Sequence, residues 1–189
     1  AVMQKAGEEF GTIDFLVHSI AFCPMDDLKG ETVETSREGF RIAMETSVYS
    51  LLAVTRHARA ILADNAPVLT LTYFGGEKAV PGYNIMGVCK AALDASVRYM
   101  AYELGPKGVR VNAVSAGPLR TLAGRGAGVE EMLTFYERVA PLGRNVTHEE
   151  VGNSGAWLLS KESTGITGEI LHVDAGYNIM GSPGRLLDS

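Results

Sequence analysis

Three side chains in this 189-residue chain have types and spacing that could do chemistry together: Tyr73, Tyr83 and Lys90. Tyr83 and Lys90 are seven residues apart. At 3.6 residues per turn that spacing puts both on one face of a helix, about two turns apart. A lysine ammonium beside a phenol favours the phenolate and lowers a pKa that is normally about 10. Such a pair can donate a hydrogen bond or a proton. The same spacing also suits a tyrosine packed at a helix start and a lysine in solvent, and spacing alone leaves both readings open.

The elements that must position these residues can be read from periodicity. A strand-like run at 68–73 feeds a loop of Gly and Pro, and a helix runs from Tyr83 to about Leu104, where Gly105-Pro106 stops it. Upstream, residues 1–10 have helical spacing with Gly11 as a C-cap. The apolar run at 15–20 predicts a strand buried on both faces of a parallel sheet. Thr35-x-x-Glu38 is a capping-box pattern opening a long helix through Ile61. Downstream, a third strand is expected at 109–115 and a partly helical segment at 122–140, with Met132, Leu133, Phe135 and Val139 as its apolar face. Gly124, Gly126 and Gly128 suit a movable lid. Thr147 to Glu150 repeats the capping-box spacing, and the last strand is expected at 166–174. Strands alternating with helices predict an α/β fold: a doubly wound, Rossmann-like parallel sheet with helices on both faces. No internal repeat or linker divides it, so residues 1–181 read as one domain and 182–189 as a mobile tail.

Composition narrows the function classes. With 46% hydrophobic and 21% charged residues, the chain has the make-up of a globular domain. A net charge of -5 with scattered Lys and Arg argues against a nucleic-acid surface. No apolar run reaches the roughly 18 residues of a membrane span. Cys23 and Cys89 fit a reducing compartment, and the four histidines form no close-spaced ligand pair, so no metal site is expected.

In open parallel sheets the ligand lies beyond the carboxyl ends of the strands. Ser19-Ile20-Ala21, Thr72-Tyr73, Ser115-Ala116-Gly117-Pro118 and Val173-Asp174 all reach that edge. Small and hydroxyl residues there let a flat ligand approach the backbone. Tyr73, Tyr83 and Lys90 follow the central strand, so one crevice could collect them all. His18 reads as packing at a strand end and Asp174 as ordering a loop.

The chain resembles the short-chain dehydrogenase/reductase superfamily and, within it, the bacterial-type enoyl-[acyl-carrier-protein] reductases. The similarity rests on residues 18–22, 69–73, 83–91, 108–121, 165–169 and 172–174. Most superfamily members place Lys four residues after Tyr; this subgroup places it seven after, as here, with an upstream tyrosine where Tyr73 stands. The resemblance implies reduction of a trans-2-enoyl thioester on acyl carrier protein, with NADH as cofactor and NADPH as the alternative. Tyr83 would hydrogen-bond the thioester oxygen, where charge develops. Lys90 would hold the nicotinamide ribose and Tyr73 would line the acyl pocket. Ser19, Ile20, Ala21, Leu71, Ala116, Gly117, Pro118, Leu119, Arg120 and Thr121 would contact the cofactor. Cys23 and Met86 would border the substrate, with a buried apolar role as the alternative for Cys23. The resemblance also implies a cytoplasmic homotetramer without nucleic-acid partners or stable membrane insertion. Two rivals remain: a non-enzymatic interaction subunit of the same fold, and a ketone-reducing superfamily member.

One departure from the family is large. Relatives carry strands and a Gly-rich pyrophosphate-binding turn before the segment matching Ala1, and no G-x-G-x-x-G occurs in these residues. The expectation is a fragment of a longer enzyme, or an apolar edge at 15–20 covered by another chain.

Overall fold

The computed structural model describes residues 2–121 and 129–183. Four parallel strands form its sheet in the order β1 (Leu16–His18), β2 (Pro67–Thr72), β3 (Arg110–Ala116), β4 (Ile170–Val173). Register is regular, with Val68 opposite Leu16 and Val111, and Ser115 opposite Thr72 and His172. Single crossovers between parallel neighbours are what the alternating pattern requires.

The two faces of the sheet follow the period-2 alternation of side chains. Leu16, Val68, Val111 and Ala113 pack on one face against Leu51 of α4 (Ser50–Ala58) and Leu93, Val97 and Met100 of α5 (Asn84–Leu104). Leu69 and Val114 point the other way, onto Leu158 and Val151 of the helix His148–Leu159. That helix begins with the expected capping box: Thr147 Oγ1 accepts from the Glu150 amide at 3.1 Å, and Glu150 Oε2 accepts from the Thr147 amide at 2.8 Å. The first helix, α1, spans Val2–Phe10 and ends at Gly11, whose φ of 72° is the left-handed cap its sequence suggests.

Several expected elements are displaced for identifiable reasons. The upstream capping box at Thr35 is not formed. Ser36 is the cap of α3 (Arg37–Met44), and its hydroxyl accepts from the Gly39 amide at 2.9 Å. Asp27, from the short helix α2 (Met25–Lys29), accepts from the Ser36 amide at 2.7 Å, so a distant carboxylate does the work assigned to Glu38. The long helix expected from there is broken by a π turn at Glu45–Tyr49 before α4, and α4 ends at Ala58. The first strand is only three residues long, with Leu16 and His18 buried and Val17 44% exposed. The last strand begins at Ile170. The residues before it wrap under β3, where the Gly168 amide donates to the Val111 carbonyl. The helix α6 (Val129–Val139) turns Tyr136 inward instead of Phe135. The glycines expected to form a lid, Gly124, Gly126 and Gly128, lie outside the described residues, as does most of the expected tail. The helix His148–Leu159 is α7.

Candidate active site

The site is built where β2 stops. Thr72 ends the strand, Tyr73 is still extended, and Phe74–Gly76 make one 3₁₀ turn. This turn lets the chain double back onto the first turns of α5. A Cβ on Gly75 would stand 2.5 Å from Cδ1 of Tyr83. A Cβ on Gly76 would stand 2.9 Å from both the Ala91 nitrogen and the Lys90 carbonyl carbon. The two glycines are therefore what allows the Tyr83–Lys90 segment to lie against the end of the central strand.

Tyr83 is the N-cap of α5 and meets Tyr73 edge-on, with ring centroids 4.8 Å apart and planes at 73°. Lys90, two turns on, is 7% exposed and sends Nζ to the Leu71 carbonyl at 2.8 Å. Tyr83 thus packs just past the end of β2 and Lys90 on the strand itself. The expected electrostatics are corrected, however. Burial pushes the Tyr83 phenol well above its ordinary range, and the nearby Tyr73, Cys89 and Asp94 push the same way. Tyr83 is a neutral hydrogen-bond donor here, not an incipient phenolate. Burial also lowers Lys90 to about 8, against the opposing pull of Asp94 and Cys89. No hydrogen bond to another described residue holds the Tyr83 hydroxyl, which leaves it able to donate to a bound group.

Tyr73 leads to a residue that sequence reasoning missed. Its hydroxyl bonds the Tyr136 hydroxyl at 2.9 Å, and Tyr136 stacks on Tyr177 with centroids 3.9 Å apart. Burial raises Tyr73 to about 12 and moves Tyr136 in the same direction. The signal was present: Val129, Leu133, Tyr136 and Val139 share helical spacing, which selects Tyr136 over Phe135. Beside this cluster opens a cavity of about 340 Å³ walled by Phe74, Val80, Met132, Phe135, Tyr136 and Tyr177. A second, of about 480 Å³, is lined by Tyr83 together with Gly75, Gly76, Gly87 and Ala91.

The other expected contacts lie as follows. Ser19, Ile20 and Ala21 are exposed just past β1. Leu71 is on β2, its carbonyl taken by Lys90. Ala116 ends β3, Gly117 and Pro118 are buried after it, and Leu119 is half-buried. Arg120 and Thr121 are exposed, and Arg120 forms an ion pair with Glu130 at 3.0 Å. Cys23 and Met86 sit together in an apolar cluster with Ala43, Val48, Ile85 and Cys89. Burial raises the Cys23 thiol, so it behaves there as a small apolar side chain. His18 is structural as expected, its ring nitrogens on Thr70 Oγ1 at 2.9 Å and Ser50 Oγ at 2.7 Å. Asp174 orders the following loop, accepting from the amides of Gly176 and Asn178. Among the described residues no group of three or more acidic, His or Cys side chains could hold a metal ion. No described helix is long and apolar enough to cross a membrane.

Small residues at the strand ends, a buried ammonium beside them and a free phenol fit the nicotinamide and ribose end of a dinucleotide. A family model described as enoyl-(acyl carrier protein) reductase matches residues 1–178. The chain is 52% identical over 182 residues to enoyl-[acyl-carrier-protein] reductase [NADH] 1 of Rhizobium meliloti, covering 96% of this chain and 67% of that protein. It is 50% identical over 182 residues to enoyl-[acyl-carrier-protein] reductase [NADH] FabI of Bacillus cereus, covering 71% of that protein. A Bacillus cereus enoyl-acyl carrier protein reductase solved with NADP+ and indole naphthyridinone superposes with a TM-score of 0.93 at 49% identity, over 96% of this chain and 71% of that one. The Aquifex aeolicus enoyl-[acyl-carrier-protein] reductase (NADH) gives a TM-score of 0.92 at 46% identity. The chain thus spans about two thirds of the length of these relatives, and across that length it belongs to the enoyl-[acyl-carrier-protein] reductase family.

Proposed function

We propose that this chain carries the catalytic and substrate-binding part of an enzyme that reduces trans-2-enoyl thioesters of acyl carrier protein, with NADH as reductant, in fatty-acid synthesis. The observation that carries the proposal is the packing of Tyr83 edge-on against Tyr73 at the end of β2, with the Lys90 ammonium anchored on the same strand.

NADH, when bound, would supply the hydride for the β-carbon of the substrate, and a proton from solvent would complete the α-carbon. The chain's own residues do the rest. As the double bond is reduced, negative charge builds on the thioester oxygen, and the Tyr83 hydroxyl donates a hydrogen bond to it. A donor placed where charge develops stabilises the transition state more than the ground state. A neutral phenol suits this role, and burial keeps Tyr83 neutral. Lys90 binds the ribose hydroxyls as a cation, and Tyr73 closes the wall between the reacting bond and the cavity bounded by Tyr136. Ser19, Ile20, Ala21 and residues 116–121 form the rim against which the cofactor lies, with Cys23 and Met86 under the thioester side. The reading includes a cytoplasmic location and a homotetramer; exposed Tyr49, Leu52, Val88, Tyr99 and Tyr102, on and beside the two long helical stretches, support the oligomer.

The test is NADH oxidation by the full-length protein with crotonyl thioester and, in parallel, with the matching β-ketoacyl thioester. Oxidation with the enoyl substrate alone is expected. Oxidation with the keto substrate alone would make the protein a ketone reductase, and failure to bind NADH would make it a non-catalytic relative.

A further inference from the structure

Asn84 directly follows Tyr83 and opens α5, and its backbone is left-handed, with φ 43°. Gly82, on the other side of Tyr83, is left-handed too, with φ 81°. Among the described residues only Asn65 and Ala175 share such a φ without being glycine. A side chain with a Cβ resists this conformation, and asparagine is one of the few residues that adopt it readily. A left-handed residue persists only where its surroundings fix it, and such residues cluster at functional sites.

The Asn84 side chain shows what fixes it. Its Nδ2 donates to the Leu28 carbonyl at 2.8 Å and to the Gly30 carbonyl at 2.6 Å. Both carbonyls lie at the end of α2, where helical partners run out. The two amide protons of asparagine serve two carbonyls at once, which neither an ionised aspartate nor a hydroxyl can do. The end of α2 is itself anchored. Asp27 accepts from the Ser36 amide at 2.7 Å, and Leu28 packs with Tyr83 on the apolar cluster of Cys23, Ile85, Met86 and Cys89. The Tyr83 hydroxyl has no bond to another described residue, so the phenol is aimed by its ring contacts and by the backbone that carries it.

We infer that Asn84 is a positioning residue for Tyr83: its amide, clamped on the two carbonyls that end α2, holds the left-handed turn that aims the phenol at the thioester oxygen. This inference rests on the reading of Tyr83 as the donor to that oxygen. Asn84 acts through the backbone it shares with Tyr83, not by touching substrate. Releasing the clamp frees the turn between Gly82 and α5, and the hydroxyl drifts from the place where charge develops. A donor out of place loses its preference for the transition state, so the loss falls on kcat.

The experiment uses the full-length protein and a double-mutant cycle. Asn84→Gly keeps the left-handed turn open to the backbone and removes only the amide. It is made alone and together with Tyr83→Phe, and kcat with crotonyl thioester is measured beside NADH affinity by fluorescence. Alone, Asn84→Gly should lower kcat by about 10-fold to 100-fold, with NADH affinity little changed. Beside Tyr83→Phe, where no hydroxyl is left to aim, the same change should lower kcat by no more than about twofold further. Asn84→Asp, which keeps the size but loses both donors, stands in should the glycine variant not fold. A wild-type kcat in the single variant would overturn the inference. So would an equal loss in both backgrounds, because Asn84 would then act on the fold at large and not through the Tyr83 hydroxyl. A Tyr83→Phe variant with wild-type kcat would instead overturn the reading of Tyr83, and the inference with it.

Discussion

Gly76→Ala tests whether the catalytic helix really lies as close to β2 as described. The added methyl would meet the Ala91 nitrogen and the Lys90 carbonyl carbon, each at 2.9 Å, and Asp94 Oδ2 at 2.8 Å. Two of these are backbone atoms inside a 21-residue helix, so no rotamer change relieves them. Either α5 or the Phe74–Gly76 turn must shift. Overpacking of this kind costs about 1–3 kcal/mol. For a protein of this size that corresponds to a Tm lower by roughly 2–12 °C. Lys90 is at the contact itself, so the shift also moves the ammonium, and misplacement by about 1 Å can cost on the order of 100-fold in rate. Thermal unfolding by circular dichroism and the rate of enoyl reduction should fall together. Gly165→Ala is the control: Gly165 is exposed, with nothing within 4 Å of an added Cβ, and should change neither. A Gly76→Ala variant with wild-type Tm and rate would refute the close packing from which the site was derived.

Two further substitutions probe separate parts of the account. Tyr136→Phe keeps the ring stacked on Tyr177 but leaves the buried Tyr73 hydroxyl without its partner, which should cost about 1–3 kcal/mol of stability. Denaturant unfolding would show it, and an unchanged midpoint would mean the two phenols do not bond. Thr147→Ala removes the cap of α7 and should cost about 1 kcal/mol, read from the same curves, with no effect on NADH affinity.

The sequence carried more of the strands and of the catalytic pair than of the electrostatics. The alternation of strands and helices along the chain and the face shared by Tyr83 and Lys90 follow from periodicity alone, because both depend only on local spacing. The capping box at Thr147 was legible for the same reason, since donor and acceptor lie within one helical turn. The failure at Thr35 is instructive beside it: the acceptor that fixes the cap comes from Asp27, nine residues upstream of Ser36 in another helix. The direction of the Tyr83 shift was misjudged because a spacing argument sees the nearby lysine but not the depth of burial, and burial dominates here. Tyr136 was overlooked because its hydroxyl acquires meaning only through Tyr73, which is 63 residues away in sequence.

The central claim is that Tyr83 acts as the hydrogen-bond donor to the thioester oxygen. Tyr83→Phe deletes that hydroxyl and leaves the ring packed against Tyr73 and Gly75. Steady-state reduction of crotonyl thioester, with NADH affinity measured alongside, tests it directly. Loss of one such donor should lower kcat by about 100-fold to 1,000-fold, with NADH affinity little changed. A kcat equal to that of the wild type would contradict the account.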